Sequence, residues 1–163
     1  MREMSFLSDY HLKPGKIHDK AKLLKFMQLT YEELFPEKSD FSHLSTTIEQ
    51  YLSSKTPLWW INYQPENSTI SEEVGCLWMG TGVDQVNGDR YGHIFLIYVK
   101  PNHRRQGLAT TLIEQGQQWV QEQGYHQIGL QVFERNQAAR KLYNKLGFSP
   151  QSYLMLKSWN INE

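Results

Sequence analysis

The stretch His93-Ile94-Phe95-Leu96-Ile97-Tyr98-Val99-Lys100-Pro101-Asn102-His103-Arg104-Arg105-Gln106-Gly107-Leu108-Ala109 decides how this chain folds. Its apolar first part, rich in β-branched and aromatic residues, reads as a strand that ends at Pro101. A short basic turn follows, and a helical pattern begins around Leu108. A strand that enters a helix through a tight turn gathers unbonded backbone N–H groups and the positive end of a helix dipole at one spot. That spot suits a phosphate. Gly107 and Ala109 leave the backbone uncovered, and Arg104 and Arg105 add positive charge. Taken alone, R-x-x-G-x-A also fits an ordinary helix start with small residues for packing. The other phosphate motifs are missing: there is no G-x-x-x-x-G-K-S/T, and no G-x-G-x-x-G at a strand end, which argues against a nucleoside triphosphatase and a dinucleotide fold.

Upstream of this stretch, residues 1–17 read as irregular, with a short strand near Tyr10-His11-Leu12. A helix capped by Asp19 runs to about Leu34, with Leu23, Met27, Thr30, Tyr31 and Leu34 on one face. A second covers Leu44 to Leu52, with Ser42 or Asp40 as cap. The period then becomes extended: Leu58 to Tyr63 and Val74 to Met79 read as strands, and Asn87-Gly88 marks a hairpin turn before the strand Tyr91 to Val99. Three such strands in a row predict an antiparallel meander. Downstream, the helix from Gly107 stops at Gly124. Gln127 to Val132 reads as a short buried strand, a helix opens at Asn136 and stops at Gly147, and Tyr153-Leu154-Met155-Leu156 reads as a last strand. A helical crossover between neighbouring strands makes them parallel. With no linker and no repeat, residues 1–163 form a single mixed α/β domain.

Composition narrows the function. Hydrophobic residues make up 39% and aromatics 13% of 163 residues, enough for a packed core. Seventeen basic and seventeen acidic side chains cancel, which gives no sign of a nucleic-acid binder. Cys76 is the only cysteine, so it forms no internal disulfide or cysteine metal cluster, and its apolar surroundings place it in the core. The six histidines show no ligand spacing, so no metal is expected. No apolar run approaches the roughly 20 residues of a membrane span, and the first residues lack a signal-peptide pattern. A cytoplasmic protein is expected.

Two motifs together point to a family. Val99-x-Pro101-x-x-Arg104-Arg105-x-Gly107-x-Ala109 resembles the acetyl-CoA motif Q/R-x-x-G-x-G/A of the GNAT N-acetyltransferases. Val132 to Phe148 matches that family's N-x-x-A-x-x-x-Y-x-x-x-G-F at Asn136, Ala139, Tyr143, Gly147 and Phe148. Both occur in order, separated by one helix and one strand, and the likeness covers about Val74 to Phe148. It implies an α/β (α+β) fold with a mixed, mostly antiparallel sheet, a central parallel pair of splayed strands, and flanking helices. It implies acetyl-CoA as cosubstrate. The backbone amides of Arg104, Arg105, Gln106, Gly107, Leu108, Ala109 and Thr110 would hold the pyrophosphate. Ile97, Tyr98 and Val99 would pair with the pantetheine amides, at a strand that carries a bulge. Asn136 would contact the pantetheine arm, with Ala139 and Tyr143 on the same helix lining the cofactor.

The implied reaction is acetyl transfer to a primary amine by direct attack in a ternary complex. The resemblance makes Tyr143 the acid that protonates the departing sulfur; an unperturbed phenol near 10 stays protonated beside a thiol near 8.5. His93, six residues before Val99, is the candidate base, since an imidazole near 6.5 can take a proton at neutral pH; a water chain is the alternative. A backbone N–H near Ile97 to Val99 would serve the oxyanion. Expected partners are an amine acceptor, small molecule or protein, with no nucleic acid and no membrane, and a homodimer is compatible with this reading. The other class of function considered is a non-catalytic acyl-CoA sensor or scaffold with the same fold, against which Tyr143 argues.

Overall fold

The computed structural model describes residues 8–162. The chain divides into two compact units, one ending at Gln131 and the other beginning at Val132. The first holds a five-stranded sheet in the order β1-β2-β3-β4-β5. These strands are β1 (Tyr10–Pro14), β2 (Leu58–Tyr63), β3 (Glu72–Val83), β4 (Arg90–Val99) and β5 (Ile128–Leu130). β1 to β4 pair antiparallel, and β4 pairs parallel with β5. Its helices are α1 (Lys20–Leu34), α2 (Leu44–Tyr51) and α3 (Leu108–Glu122). The mixed, mostly antiparallel sheet with one parallel pair is therefore present. The irregular start read for residues 1–17 lies outside the described residues up to position 7, and Tyr10 to Pro14 forms β1 against β2.

The alternation of β3 shows how the layers are stacked. Cys76 and Trp78 face one way, into a cluster with Leu23, Phe26 and Met27 of α1, Leu44 and Ile48 of α2, Trp60 of β2, and Leu96 and Tyr98 of β4. Leu77 and Met79 must then face the other way. There a Cβ added to Gly116 of α3 would come within 2.6 Å of the Met79 sulfur. So α1 and α2 cover one face of the sheet and α3 covers the other. Cys76 is fully buried, and burial pushes its thiol up, out of the reactive range.

α3 approaches β4 closely because Gly92 has no side chain. A Cβ at position 92 would stand 2.1 Å from Cγ2 of Val120, a stiff β-branched residue on the buried face of α3. Gly92→Ala should destabilise the protein by about 1–3 kcal/mol, the usual cost of overpacking. The melting temperature should then fall by several degrees, at about 2–4 °C per kcal/mol for a chain of this size.

The second unit carries α4 (Gln137–Lys145). Asn136 caps it, its side-chain oxygen accepting from the Ala139 N–H at 3.3 Å. The chain leaves the helix through Gly147 at φ +96, and the Phe148 N–H bonds to the Tyr143 carbonyl at 2.9 Å.

Several local expectations need correction. Tyr153 to Leu156 forms no strand; these four residues are 80–86% exposed. An apolar run becomes a strand only when a neighbour takes up its backbone groups, and no ladder includes this one. The strand read over Gln127 to Val132 shortens to three residues. Asp19 does not cap α1 with its side chain; its carboxylate accepts from the Trp60 indole at 3.0 Å and from the Lys16 N–H at 2.9 Å. Neither Ser42 nor Asp40 caps α2, which starts after His43 with no side-chain cap. Asp40 instead accepts from the Ser42 N–H in an Asx turn.

Candidate active site

The site starts where β4 stops being paired on one edge. β4 and β5 align only at Gly92, His93 and Ile94, opposite Ile128, Gly129 and Leu130. β5 ends there, so among the described residues no strand pairs with that edge of β4 from Phe95 to Val99. On the other edge, β3 pairing shifts at the same place: Trp78 opposes Leu96, but Met79 opposes Ile94. Phe95 is therefore the extra residue of a β-bulge. The parallel pairing ends and the bulge begins at neighbouring residues, and beyond them Ile97, Tyr98 and Val99 lead into the basic turn.

The bulge also changes which side chains share a face. Ile94 lies opposite Met79 on the α3 side, whereas Leu96 and Tyr98 belong to the α1–α2 cluster. Counting in twos across the bulge would put His93 on the face of Val99. The inserted residue reverses this, and His93 lies with Phe95 on the α1–α2 side. Its ring meets Phe95 at 5.4 Å and Tyr91 at 5.9 Å, both edge-on, and its Nδ1 is 3.4 Å from the Tyr91 hydroxyl. Burial among these rings lowers its pKa below the ordinary histidine value. It is therefore a neutral imidazole at pH 7, able to accept a proton.

Beyond Val99 a 3₁₀ turn, Pro101 to His103, leads into the cradle. Two residues there adopt left-handed backbone, Arg105 at φ +60 and Gly107 at φ +78. Left-handed residues in a tight turn bring successive N–H groups toward a common point, the form of an anion nest. The first bond of α3 runs from the Thr111 N–H to the Gly107 carbonyl at 3.0 Å. The N–H groups of Leu108, Ala109 and Thr110 precede it and have no carbonyl within the helix to meet. The positive helix end adds to them.

The two arginines differ. Arg104 donates from both terminal nitrogens to Glu33 of α1, at 2.5 and 2.7 Å, and from Nε to the Val99 carbonyl at 2.8 Å. Its guanidinium also stands 5.5 Å from the Tyr98 ring. Its charge is neutralised, and the Glu33 carboxyl is held below its usual range by the same pair. Arg104 thus braces the turn against the sheet, while Arg105 is exposed and carries the charge available to an anion. Sequence reading missed Glu33, which lies 71 residues away.

It also missed Tyr10, whose hydroxyl lies 2.9 Å from Nδ1 of His103 and donates to the Gln106 side chain at 3.2 Å. His103 packs against the rings of Tyr10 and Tyr63. The edge of β1 is thereby tied to the cradle through the Gln106 side chain. No spacing in the sequence marks either partner.

The other expected residues lie on α4. The Asn136 side-chain oxygen is used in the helix cap, and its NH₂ is outside that bond. Ala139 donates to that cap. Tyr143 stacks edge-on with Phe148 at 5.7 Å, and burial pushes its phenol up to about 12. A cavity of about 270 Å³, lined by residues including Gln117, Val120, Tyr125 and His126, lies by the far end of α3 from the cradle. Among the described residues no group of His, Cys, Asp or Glu is placed to hold a metal, and no helix is long and apolar enough to cross a membrane.

Comparison with known proteins bears on the family and the fold. The model of the acetyltransferase (GNAT) family matches residues 22–148. An uncharacterized N-acetyltransferase, YobR, of Bacillus subtilis is 41% identical over 64 residues, 39% of this chain and 26% of that protein. The chain spans less than half the length of the first curated relatives it matches. A predicted acetyltransferase from Clostridium acetobutylicum, solved with acetyl-CoA, superposes with a TM-score of 0.72 at 18% identity over 91% of this chain and 96% of that one. An aminoglycoside 6′-N-acetyltransferase from Acinetobacter baumannii superposes at 0.66, also 18% identical, over 94% and 99%. These two show the fold.

Proposed function

Because this chain belongs to the GNAT acetyltransferase family, we propose that it transfers an acetyl group from acetyl-CoA to a primary amine by direct attack in a ternary complex. The observation that carries this reading is where β4 loses its parallel partner. Its β5 partner ends opposite Ile94, Phe95 bulges, and the uncovered edge from Phe95 to Val99 runs directly into the N–H cradle. An acyl-pantetheine arm needs such an edge for its amides, and a pyrophosphate needs such a cradle. The residues present fit acetyl-CoA. Ile97, Tyr98 and Val99 would bind the arm, the amides of Arg104 to Thr110 the pyrophosphate, and Asn136 and Ala139 would contribute from α4. The match to the family model runs through the boundary between the two compact units, which supports one functional domain.

The chemistry follows from the assigned groups. The amine arrives as an ammonium and gives a proton to His93, directly or through water. Its nitrogen lone pair attacks the thioester carbonyl carbon, a backbone N–H of β4 stabilises the oxyanion, and collapse breaks the C–S bond. Tyr143 donates to the leaving sulfur, and the second proton, shed by the acetylated nitrogen as the intermediate collapses, restores the phenol. The products are an acetamide and the CoA thiol, with the His93 proton returned to solvent.

A base with a depressed pKa has a definite pH signature. His93 must be neutral to act, and its pKa lies below the ordinary 6.5. At saturating acceptor, kcat should therefore be flat at pH 7 and fall only as pH drops through a value below 6.5. His93→Gln should remove that acid limb and lower the plateau; an unaltered profile would remove the base assignment. The reaction itself is tested by screening amines and peptides for CoA release and confirming each acetylated product by mass. Acetyl-CoA binding without CoA release across a broad panel would instead support the sensor reading.

A further inference from the structure

The α1–α2 face of the sheet carries a row of aromatic rings that the proposed chemistry uses at one point only. Trp78 is fully buried at its inner end, 4.8 Å from Phe95. Phe95 in turn meets Tyr51, the last residue of α2, at 5.4 Å and His93 at 5.4 Å, and His93 meets Tyr91. The row runs from the core outward, and its outer members are only partly covered: Tyr91, His93 and Phe95 are half-buried, and Tyr51 is 43% exposed.

The backbone beneath is shaped to hold these rings. A Cβ on Gly80 would come within 2.4 Å of the Phe95 ring, and one on Gly82 within 2.6 Å of the Tyr91 ring. Side chains at either position would push the rings off the strand. With glycine at both, the Phe95 and Tyr91 rings lie across β3, and the row forms an aromatic floor of tilted and edge-on rings. The bulge at Phe95 puts that floor beside the end of the β4–β5 pairing, and His93 sits within it.

We propose that this floor selects the acceptor, and that the acceptor is a primary amine carried on a flat apolar body, an arylalkylamine. This rests on the acetyltransferase reading. The amine must reach His93, so the rest of the acceptor must lie along the rings on either side of it. Among the described residues, His93 and Phe95 meet the rings of Trp78, Tyr51 and Tyr91 and each other, and no carboxylate. A polycation would need carboxylates to replace its lost hydration. An aryl group gains area burial and offset or edge-on stacking, about 0.5–1.5 kcal/mol per ring pair beyond its area.

The test compares phenethylamine, spermidine, kanamycin and an alanyl peptide as acceptors at saturating acetyl-CoA. Phenethylamine should show at least a tenfold higher kcat/KM than each of the others. Tyr51→Ala and Phe95→Leu should raise the KM for phenethylamine about tenfold, and in Tyr51→Ala kcat should change little and the KM for acetyl-CoA not at all. Tyr51 is partly exposed at a helix end, so its truncation tests the floor even if position 95 proves sensitive to folding. A preference for spermidine, kanamycin or the peptide overturns the acceptor assignment and leaves the acetyltransferase reading standing. So does an unchanged KM for phenethylamine in both variants. Absence of CoA release with every amine overturns both.

Discussion

Tyr143→Phe is expected to lower turnover by about 10- to 1,000-fold, within the range for an acid–base group, with little change in acetyl-CoA affinity. The phenol sits edge-on to Phe148, and burial lifts it to about 12. It therefore stays protonated across the working range, and no alkaline limb below about pH 11 should come from it. The same elevation limits its role. Full proton transfer from such a phenol to a thiolate whose acid lies near 8.5 is uphill. Tyr143 should act chiefly by hydrogen-bonding the developing thiolate, and it completes the transfer only as the sulfur is itself desolvated. A hydrogen bond to a charged group contributes about 1.5–3 kcal/mol, which alone amounts to roughly 10- to 150-fold. Phenylalanine keeps the ring and its packing on Phe148, so the melting temperature should hardly move. Unchanged turnover would sink the assignment.

The second large effect is expected at the cradle. Gly107 lies at φ +78 and caps α3. A valine there must adopt left-handed backbone, which costs about 1–2 kcal/mol for an L residue and more for a β-branched one. It would also add bulk in the turn whose amides are proposed to hold the pyrophosphate. Gly107→Val should weaken acetyl-CoA binding about 10- to 100-fold. Gly124→Val separates strain from lost binding. Gly124 lies at φ +81 just beyond the other end of α3, with nothing within 4 Å of an added Cβ. It carries a similar strain, so both variants should lose comparable stability, but only Gly107→Val should lose affinity. Equal affinities for the two variants would mean that the cradle does not hold the cosubstrate.

What could be read from the sequence were features set by neighbouring residues. The strand, turn and helix around Gly107 follow from local pattern. So do the antiparallel meander, the parallel pair made by a helical crossover, and the capped helix from Asn136 to Gly147. The misses have partners far along the chain. Asp19 looks like a cap, but Trp60 competes for its carboxylate. The positive charge that Arg104 brings to the turn is engaged by Glu33. Tyr153 to Leu156 has strand chemistry, yet a strand is a property of a pair. The bulge is the most consequential. It inserts Phe95 without any local mark in the sequence, and a one-residue insertion moves His93 to the opposite face from Val99. The family resemblance implied a bulge in this strand; only the register places it.

A β4–α3 turn that holds the pyrophosphate of acetyl-CoA must distinguish ligands with and without that group. The most direct measurement compares thermal shifts of the intact protein with acetyl-CoA and with S-acetylpantetheine, which carries the thioester and arm but no pyrophosphate. At a hundred times its dissociation constant, acetyl-CoA should stabilise the protein by about 2.7 kcal/mol, a rise of roughly 5–10 °C. S-acetylpantetheine at the same concentration should give a small fraction of that rise, and Gly107→Val should abolish most of the difference between the two. Equal shifts for both compounds, or none with acetyl-CoA at millimolar concentration, would contradict the account.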